Sequence, residues 1–479
     1  MDTLLRLLPI GDDGMGFPEK ALKDVTFFPF WLDSPDAPEV CHQLVGKTDA
    51  DLVIVGGGFT GLWAAIQAKE ESPDRDVMLI EAGKVAYGAS GRPGAIVSTS
   101  LMHGLHNAIR IFPDDLAALE KLGHDNIQGF QKTLDTHGID AHQTWGGELT
   151  VAIGDERKDD IRHEYDLYQQ YGYEGEYLDQ DAVREHVNSP LFTAGLWNRS
   201  NSGTVNPARL AWGLKRAAIS LGVRLHENTP MENIERVNGV LNVRTHDGLI
   251  RTPKILLCTN AFAAGHKNIK KRVVGIRDRI LMTQPLTDEQ VKSVGWANRQ
   301  GVYDTRTQLN YMRMTKDNRI LFGGRLTYYY DGTNNTDPAG ERVVDPYLRL
   351  AGAFNNTFPQ LEEISFSHAW SGPIALTTRM AVHFQTYWDG DVIWAGGYSG
   401  FGVSTSRFGA RVGLAKLDRK ELPELKLDFA TTMPNWVPPE PFRWIGGKIT
   451  LYALDTADEK GGWRNAWLKF VSAMGFPLQ

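Results

Sequence analysis

The stretch Asp51–Gly83, DLVIVGGGFTGLWAAIQAKEESPDRDVMLIEAG, leaves few folds open to this chain. Asp51–Val55 is a short apolar run and reads as a buried strand. Gly56, Gly58 and Gly61 then complete G-x-G-x-x-G. Leu62 to about Glu70 reads as a helix, in which Ala64, Ala65 and Ala68 allow close packing on a sheet. The sequence SPDRD breaks that helix, and Val77–Glu81 forms a second strand, giving a β–α–β unit. Glycines at these positions permit a tight turn, the approach of a pyrophosphate and helix-to-strand contact, while the helix N-terminus faces the negative charge. Glu81 follows Gly61 by about twenty residues and ends the second strand, where a carboxylate accepts from ribose hydroxyls. The unit points to a dinucleotide.

Further strands are read at Lys254–Phe262 and Val392–Gly397, and a helix at Arg209–Leu221. Between them, RILMTQPL, LNYMRMT and RILFGGR carry the pattern of an antiparallel sheet. A nucleotide domain assembled from separate segments, with a second domain inserted, fits this order. Residues 1–50 read as an N-terminal arm, and the aromatic and charged tail from Pro441 as an amphipathic helix packed on the body, with a place on a membrane surface as the alternative.

Composition narrows the class. The 479 residues carry a net charge of −7, which gives no basic field for nucleic acid. The cluster Lys267, Lys270, Lys271 and Arg272 reads as a solvated face. Cys41 and Cys258 offer neither a disulfide framework nor metal-ligand spacing, so a metal is not expected and a reducing, cytoplasmic setting is. The opening MDTLLRLLPIGDDG is too short for a signal-peptide core, and no window has the length of a membrane span.

A second glycine-rich loop, YGASGRPGAIVS (Tyr87–Ser98), follows the ribose strand. With this loop in place, VIVGGGFTGLWAAI, LIEAG, GASGR, ILLCTNAF, YMRMTKDNRILFGGR and WAGGYSGFGV resemble, in order and spacing, the FAD-dependent D-amino-acid oxidase superfamily over roughly Asp51 to Leu417. The nearest resemblance is to its glycine oxidase and gamma-glutamylputrescine oxidase branch, with the aminophosphonate oxidoreductases. It implies an α/β fold: a discontinuous Rossmann-like FAD-binding domain (51–110, 185–265 and 345–430) and an inserted substrate domain (111–184 and 266–344) built on an antiparallel sheet, followed by a tail over 431–479.

The resemblance also implies site residues. Gly56, Gly58, Phe59, Thr60, Gly61, Glu81 and Ala82 would hold the ADP half, and Met231 the adenine. Ala89, Ser90, Gly91, Arg92, Pro93 and Gly94 would line the diphosphate and flavin. Gly372 joins them, with Gly397, Tyr398, Ser399, Gly400, Phe401, Gly402 and Val403 by the pyrimidine side of the flavin. Neither cysteine matches a family tether, so non-covalent FAD is expected. The implied chemistry is hydride transfer from an amine-bearing carbon to flavin N5, giving an imine that hydrolyses.

The catalytic candidates are Tyr311, Arg313 and Trp145. Tyr311 and Arg313 alternate on LNYMRMT and match the family's cavity strand. Arg313 would pair bidentately with an acidic group on a small amine, amino acid or aminophosphonate, unless the two form a surface cross-strand pair. Trp145 either walls the cavity or packs, and the same holds for Trp370. Arg277 and Arg279 read as a surface pair, and His103 and His106 as loop residues. The family loop continues G-R-N-G-G, whereas this chain has Gly91-Arg92-Pro93-Gly94-Ala95, and Phe401 stands where a polar residue is common. With two polar groups missing, oxygen is expected to be a poorer electron acceptor than a dye. A flavin hydroxylase and a flavin-binding protein with decayed catalysis are the alternatives. The hydroxylase reading is weakened because WAGGYSGFGV lacks the Asp of its second flavin motif.

Overall fold

The computed structural model describes residues 16–199, 202–264, 266–329 and 338–476. The expectation placed on the first fourteen residues lies outside these.

The Asp51–Gly83 unit folds as strand Leu52–Val55, helix Phe59–Glu71 and strand Val77–Ile80. These belong to a six-stranded sheet ordered His383–Tyr387, Val392–Gly396, Ile255–Leu257, Leu52–Val55, Val77–Ile80, Arg224–His226, parallel apart from the first strand. The central strands are apolar without alternation because both faces are covered. Leu52, Ile54, Val77 and Leu79 pack under the helices Phe59–Glu71, Pro207–Ser220 and Gly402–Leu417. Val53, Val55, Met78 and Ile80 pack instead on Leu241, Val243 and Ile250 of a four-stranded sheet. The result is three layers. The strand expected over Lys254–Phe262 stops at Leu257, where the chain turns into a 3-10 helix, Asn260–Ala263, at the cavity wall.

A second sheet has eight strands, ordered Phe366–Leu376, Val274–Thr283, Ile320–Thr327, Tyr311–Met314, Gly301–Asp304, Glu148–Ile153, Phe192–Asn198, Glu176–Leu178. All pairs are antiparallel except Gly301–Asp304 with Glu148–Ile153. Residues alternate between its faces. Val302, Met312, Met314 and Phe322 pack with helix Asp345–Thr357 in one core, leaving Tyr303, Tyr311 and Glu148 for the face that lines the cavity.

The segment expectations need correction. Phe192–Asn198 and Phe366–Leu376 were assigned to the nucleotide part, yet both are strands of the eight-stranded sheet. Their apolar faces complete its core through Phe192, Phe366 and Ala369. Nor is the described part of the N-terminal segment a separate arm. Phe17 stacks on Phe354 at 6.5 Å, Thr26 bridges to His368, and Gly46–Asp49 is a strand paired with Gly248–Thr252. Beyond residue 431 the chain forms helices Phe442–Lys460 and Trp463–Ala473.

Candidate active site

One cavity of about 1720 Å3 runs from the glycine turn to the eight-stranded sheet. At its nucleotide end the backbone leaves no room for side chains. Gly56 has φ +114°, and a Cβ on Gly61 would lie 1.9 Å from the Gly56 carbonyl oxygen. Gly58 caps the helix, and Phe59 N–H donates to Ser90 Oγ at 2.8 Å, joining the first glycine loop to the second. The Glu81 carboxylate accepts from Gly57 N–H at 2.6 Å and Gly83 N–H at 2.9 Å. Burial raises its pKa and these amides oppose the rise. A glycine cradle at a helix N-terminus with a carboxylate beside it fits the ADP half of FAD.

Most of the residues named for the cofactor line this cavity: Gly56, Gly58, Phe59, Thr60, Glu81, Ala82, Ala89, Ser90, Arg92, Pro93, Gly94, Met231, Gly372, Tyr398, Ser399, Gly400, Phe401, Gly402 and Val403. Gly61, Gly91 and Gly397 do not. Each lies where another part of the chain comes too close for a Cβ: the Gly56 carbonyl, the Ala86 carbonyl at 2.3 Å and the Thr377 methyl at 2.6 Å.

The Arg92–Ala95 stretch is held from behind. Trp370 Nε1 donates to the Arg92 carbonyl at 2.8 Å, and Trp31 Nε1 to that of Pro93 at 3.0 Å. Arg313 Nη1 reaches the carbonyls of Gly94 and Ala95 at 3.4 and 3.3 Å, and that of Val205 at 2.5 Å. Four consecutive carbonyls are thus answered by three buried side chains. Ala95 has φ +58°, a left-handed conformation that such anchoring sustains. The Arg92 guanidinium pairs with Glu341 and donates to the Ser371 carbonyl at 2.8 Å.

Arg313 therefore reaches backbone carbonyls and not the cavity. It is buried, lies outside the cavity lining, sits over the Trp31 ring at 5.4 Å, and burial lowers its pKa to about 9. Trp145 is also absent from the lining; it is 38% exposed and packs edge-on against Phe130 at 6.5 Å. A Cβ on Gly203 would lie 3.0 Å from its ring, and the preceding Thr144 bridges to Thr204. Tyr311 does line the cavity. Its ring stands between Gly94 and Gly323, and its hydroxyl donates to Asp278 Oδ2 at 2.6 Å. Arg277 and Arg279 are not a surface pair: both are buried, donating to Ser371 Oγ at 2.6 Å and to Thr327 Oγ1 at 2.8 Å.

Sequence reasoning missed the carboxylates. Asp278 sits between the two arginines that drew attention, and strand alternation turns it alone into the cavity. Burial raises its pKa to about 6, against the Tyr311 hydrogen bond. Glu148 accepts from Ser98 Oγ at 3.1 Å and Asn198 Nδ2 at 3.4 Å. Burial raises both Glu148 and the neighbouring Glu164 to about 7. Nothing in the sequence marks Glu164, one charge among many on helix Lys158–Tyr171. His103, with its pKa lowered to about 4 by burial, lies 4.1 Å from the Phe401 ring, which stacks on Tyr303 at 6.3 Å.

The charges are unequal in kind. Arg92, Arg157 and Arg306 line the cavity but pair with Glu341, Asp458 and Asp304, and Arg443 donates to backbone carbonyls. Among the described residues neither Glu148 nor Glu164 pairs with an Arg or Lys. The same residues hold no cluster suited to a metal ion, and no helix long and apolar enough to cross a membrane.

Residues 51–413 match the family described as FAD dependent oxidoreductase. The chain is similar to the protein named probable oxidoreductase OrdL of Haemophilus influenzae, 29% identical over 80% of this chain and 86% of that protein. It is also similar to gamma-glutamylputrescine oxidoreductase of Escherichia coli, 28% identical over 81% and 87%. Its fold resembles the crystal structure of glycine oxidase from Geobacillus kaustophilus, with a TM-score of 0.64 at 18% identity over 80% of this chain and 98% of that one.

Proposed function

Since the chain belongs to the FAD-dependent oxidoreductase family, we propose that it oxidises the C–N bond of a small amine whose cationic end is held by carboxylates of the cavity wall. The carrying observation is that unpaired Glu148 and Glu164 share the cavity with Tyr303, Phe401 and His103, while every arginine lining it is engaged elsewhere. Carboxylates and aromatic faces together attract an ammonium group. The relative that acts on gamma-glutamylputrescine supports an amine as substrate. The acidic substrate group expected through Arg313 loses its support, because Arg313 lies outside the cavity lining and its Nη1 donates to backbone carbonyls.

FAD, when bound, supplies the hydride acceptor. The protein's part is to align the amine and to take its ammonium proton. Asp278, with its pKa near 6 and its hydrogen bond to Tyr311, is placed in the cavity to accept that proton. The cofactor is non-covalent in this reading. Cys258 is buried beside Gly56 at the nucleotide end, and burial raises its thiol pKa. Cys41 borders the buried Lys215–Glu227 pair instead.

The test is anaerobic mixing of the purified protein with amines, amino acids and aminophosphonates while flavin absorbance is followed. Bleaching by amines with a free cationic end, and its weakening in Glu148→Gln and Glu164→Gln, is the expected outcome. Bleaching by anionic substrates alone would overturn the proposal. So would NAD(P)H consumption without amine oxidation, the mark of a hydroxylase, or no turnover with any amine, the mark of decayed catalysis.

A further inference from the structure

The tail presents an outer face unlike the rest of the surface. Trp436 and Phe442 are 69% and 68% exposed, and Ile445, Tyr452, Trp463 and Phe470 are about half exposed. On helix Phe442–Lys460 the positions 442, 445 and 452 fall on one stripe, as do 463 and 470 on the next helix. Two acids of this helix point the other way. Asp455 pairs with Arg325 at 3.0 Å and Arg349 at 3.2 Å, and Asp458 with Arg157 at 2.7 Å, so they bind the tail to the body.

Cations gather beside the exposed aromatics. Arg443 donates to the Lys270 carbonyl at 2.7 Å and Val437 N–H to that of Lys271 at 2.8 Å. Lys271 and Arg272 each lie 5.8 Å from the centre of the Trp436 ring. The basic turn with exposed Lys267, Lys270 and Lys271 and the aromatic tail, far apart in sequence, are therefore one patch. Its sign opposes the net charge of −7.

We infer that this patch docks on the surface of an anionic phospholipid bilayer, with the helices lying in the interface. Tryptophans belong at headgroup depth, and lysines beside them meet anionic lipids. A second copy is the poorer occupant, because a two-fold contact through this patch would bring two surfaces of like charge together. Phe442 and Met474 are both exposed and line the cavity, so the docked surface includes part of the cavity rim.

Sedimentation of the full-length protein with phosphatidylcholine vesicles, with and without phosphatidylglycerol, tests this. Binding only to the anionic vesicles, released by high salt, is expected, with tryptophan emission quenched by brominated lipid in the unaltered protein. Reversing two charges in Lys270→Glu/Lys271→Glu should weaken binding by more than about tenfold, and Trp436→Ser should reduce the quenching. Protein that stays in the supernatant with both vesicle types overturns the inference. A concentration-dependent dimer that Trp436→Ser dissolves, without vesicle binding, overturns it in favour of a second copy.

Discussion

The turn Gly56–Gly61 and the strand Tyr311–Met314 meet around the same cavity and use their residues differently. In the turn the chemistry belongs to the backbone. The missing side chains create the cradle, and Gly61 matters for what a Cβ would strike. In the strand the side chains decide, and each takes its role from a distant partner: Tyr311 from Asp278, Arg313 from three carbonyls. A backbone device is written in local spacing. A side-chain device is written in the tertiary fold, so the same arginine serves as substrate clamp or loop anchor depending on what the fold places before it.

The sharpest way to break this contrast is Gly61→Val. With backbone only 1.9 Å from the new Cβ, the expected result is loss of bound flavin and of the folded nucleotide domain, read as colourless protein with a lowered melting temperature. Retention of yellow protein would show that the turn tolerates side chains after all. Next is Arg313→Met. Leaving buried carbonyls unanswered should cost about 2–4 kcal/mol in denaturant unfolding. Activity should fall by the same factor for cationic, neutral and acidic amines; a loss confined to acidic substrates would restore the clamp. Glu81→Ala should weaken FAD retention on dialysis by on the order of 1–3 kcal/mol, since a charged acceptor is removed.

The smallest effect concerns pH. Burial raises Glu148 and Glu164 to about 7, so both are largely protonated below that value. A cationic amine needs the ionised form, and KM for it should fall as pH rises through about 7 and level off above. Glu148→Gln should flatten that profile. In the ligand-free protein the sign reverses. A raised carboxylate pKa stabilises the fold most below its unfolded value near 4.5, and that contribution is lost as pH climbs from there to about 7. Melting curves across that range, with and without Glu148→Gln, measure it.

The β–α–β unit and the glycine cradle were legible because strand, turn and helix lie within one short stretch. The antiparallel sheet was legible from alternation, but not its membership. Phe192–Asn198 and Phe366–Leu376 join it through pairings with strands far away in sequence. The carboxylates stayed hidden for a similar reason. Asp278 carries no local mark that separates it from Arg277 and Arg279, and only the strand's register turns it into the cavity. Trp145 misled because an aromatic residue beside glycines reads alike whether it walls a cavity or packs outside one.

The Arg92–Ala95 anchorage also has a consequence in time. Its donors reach the loop from 62 residues before Pro93, 219 after Gly94 and 278 after Arg92. Contacts of such separation close late, because chain entropy must be lost before they form. The glycine turn can assemble with its own strands, but the Arg92–Ala95 loop must wait for the N-terminal segment and both distant strands. A ligand that binds only the completed site, as FAD would, favours the folded chain by mass action.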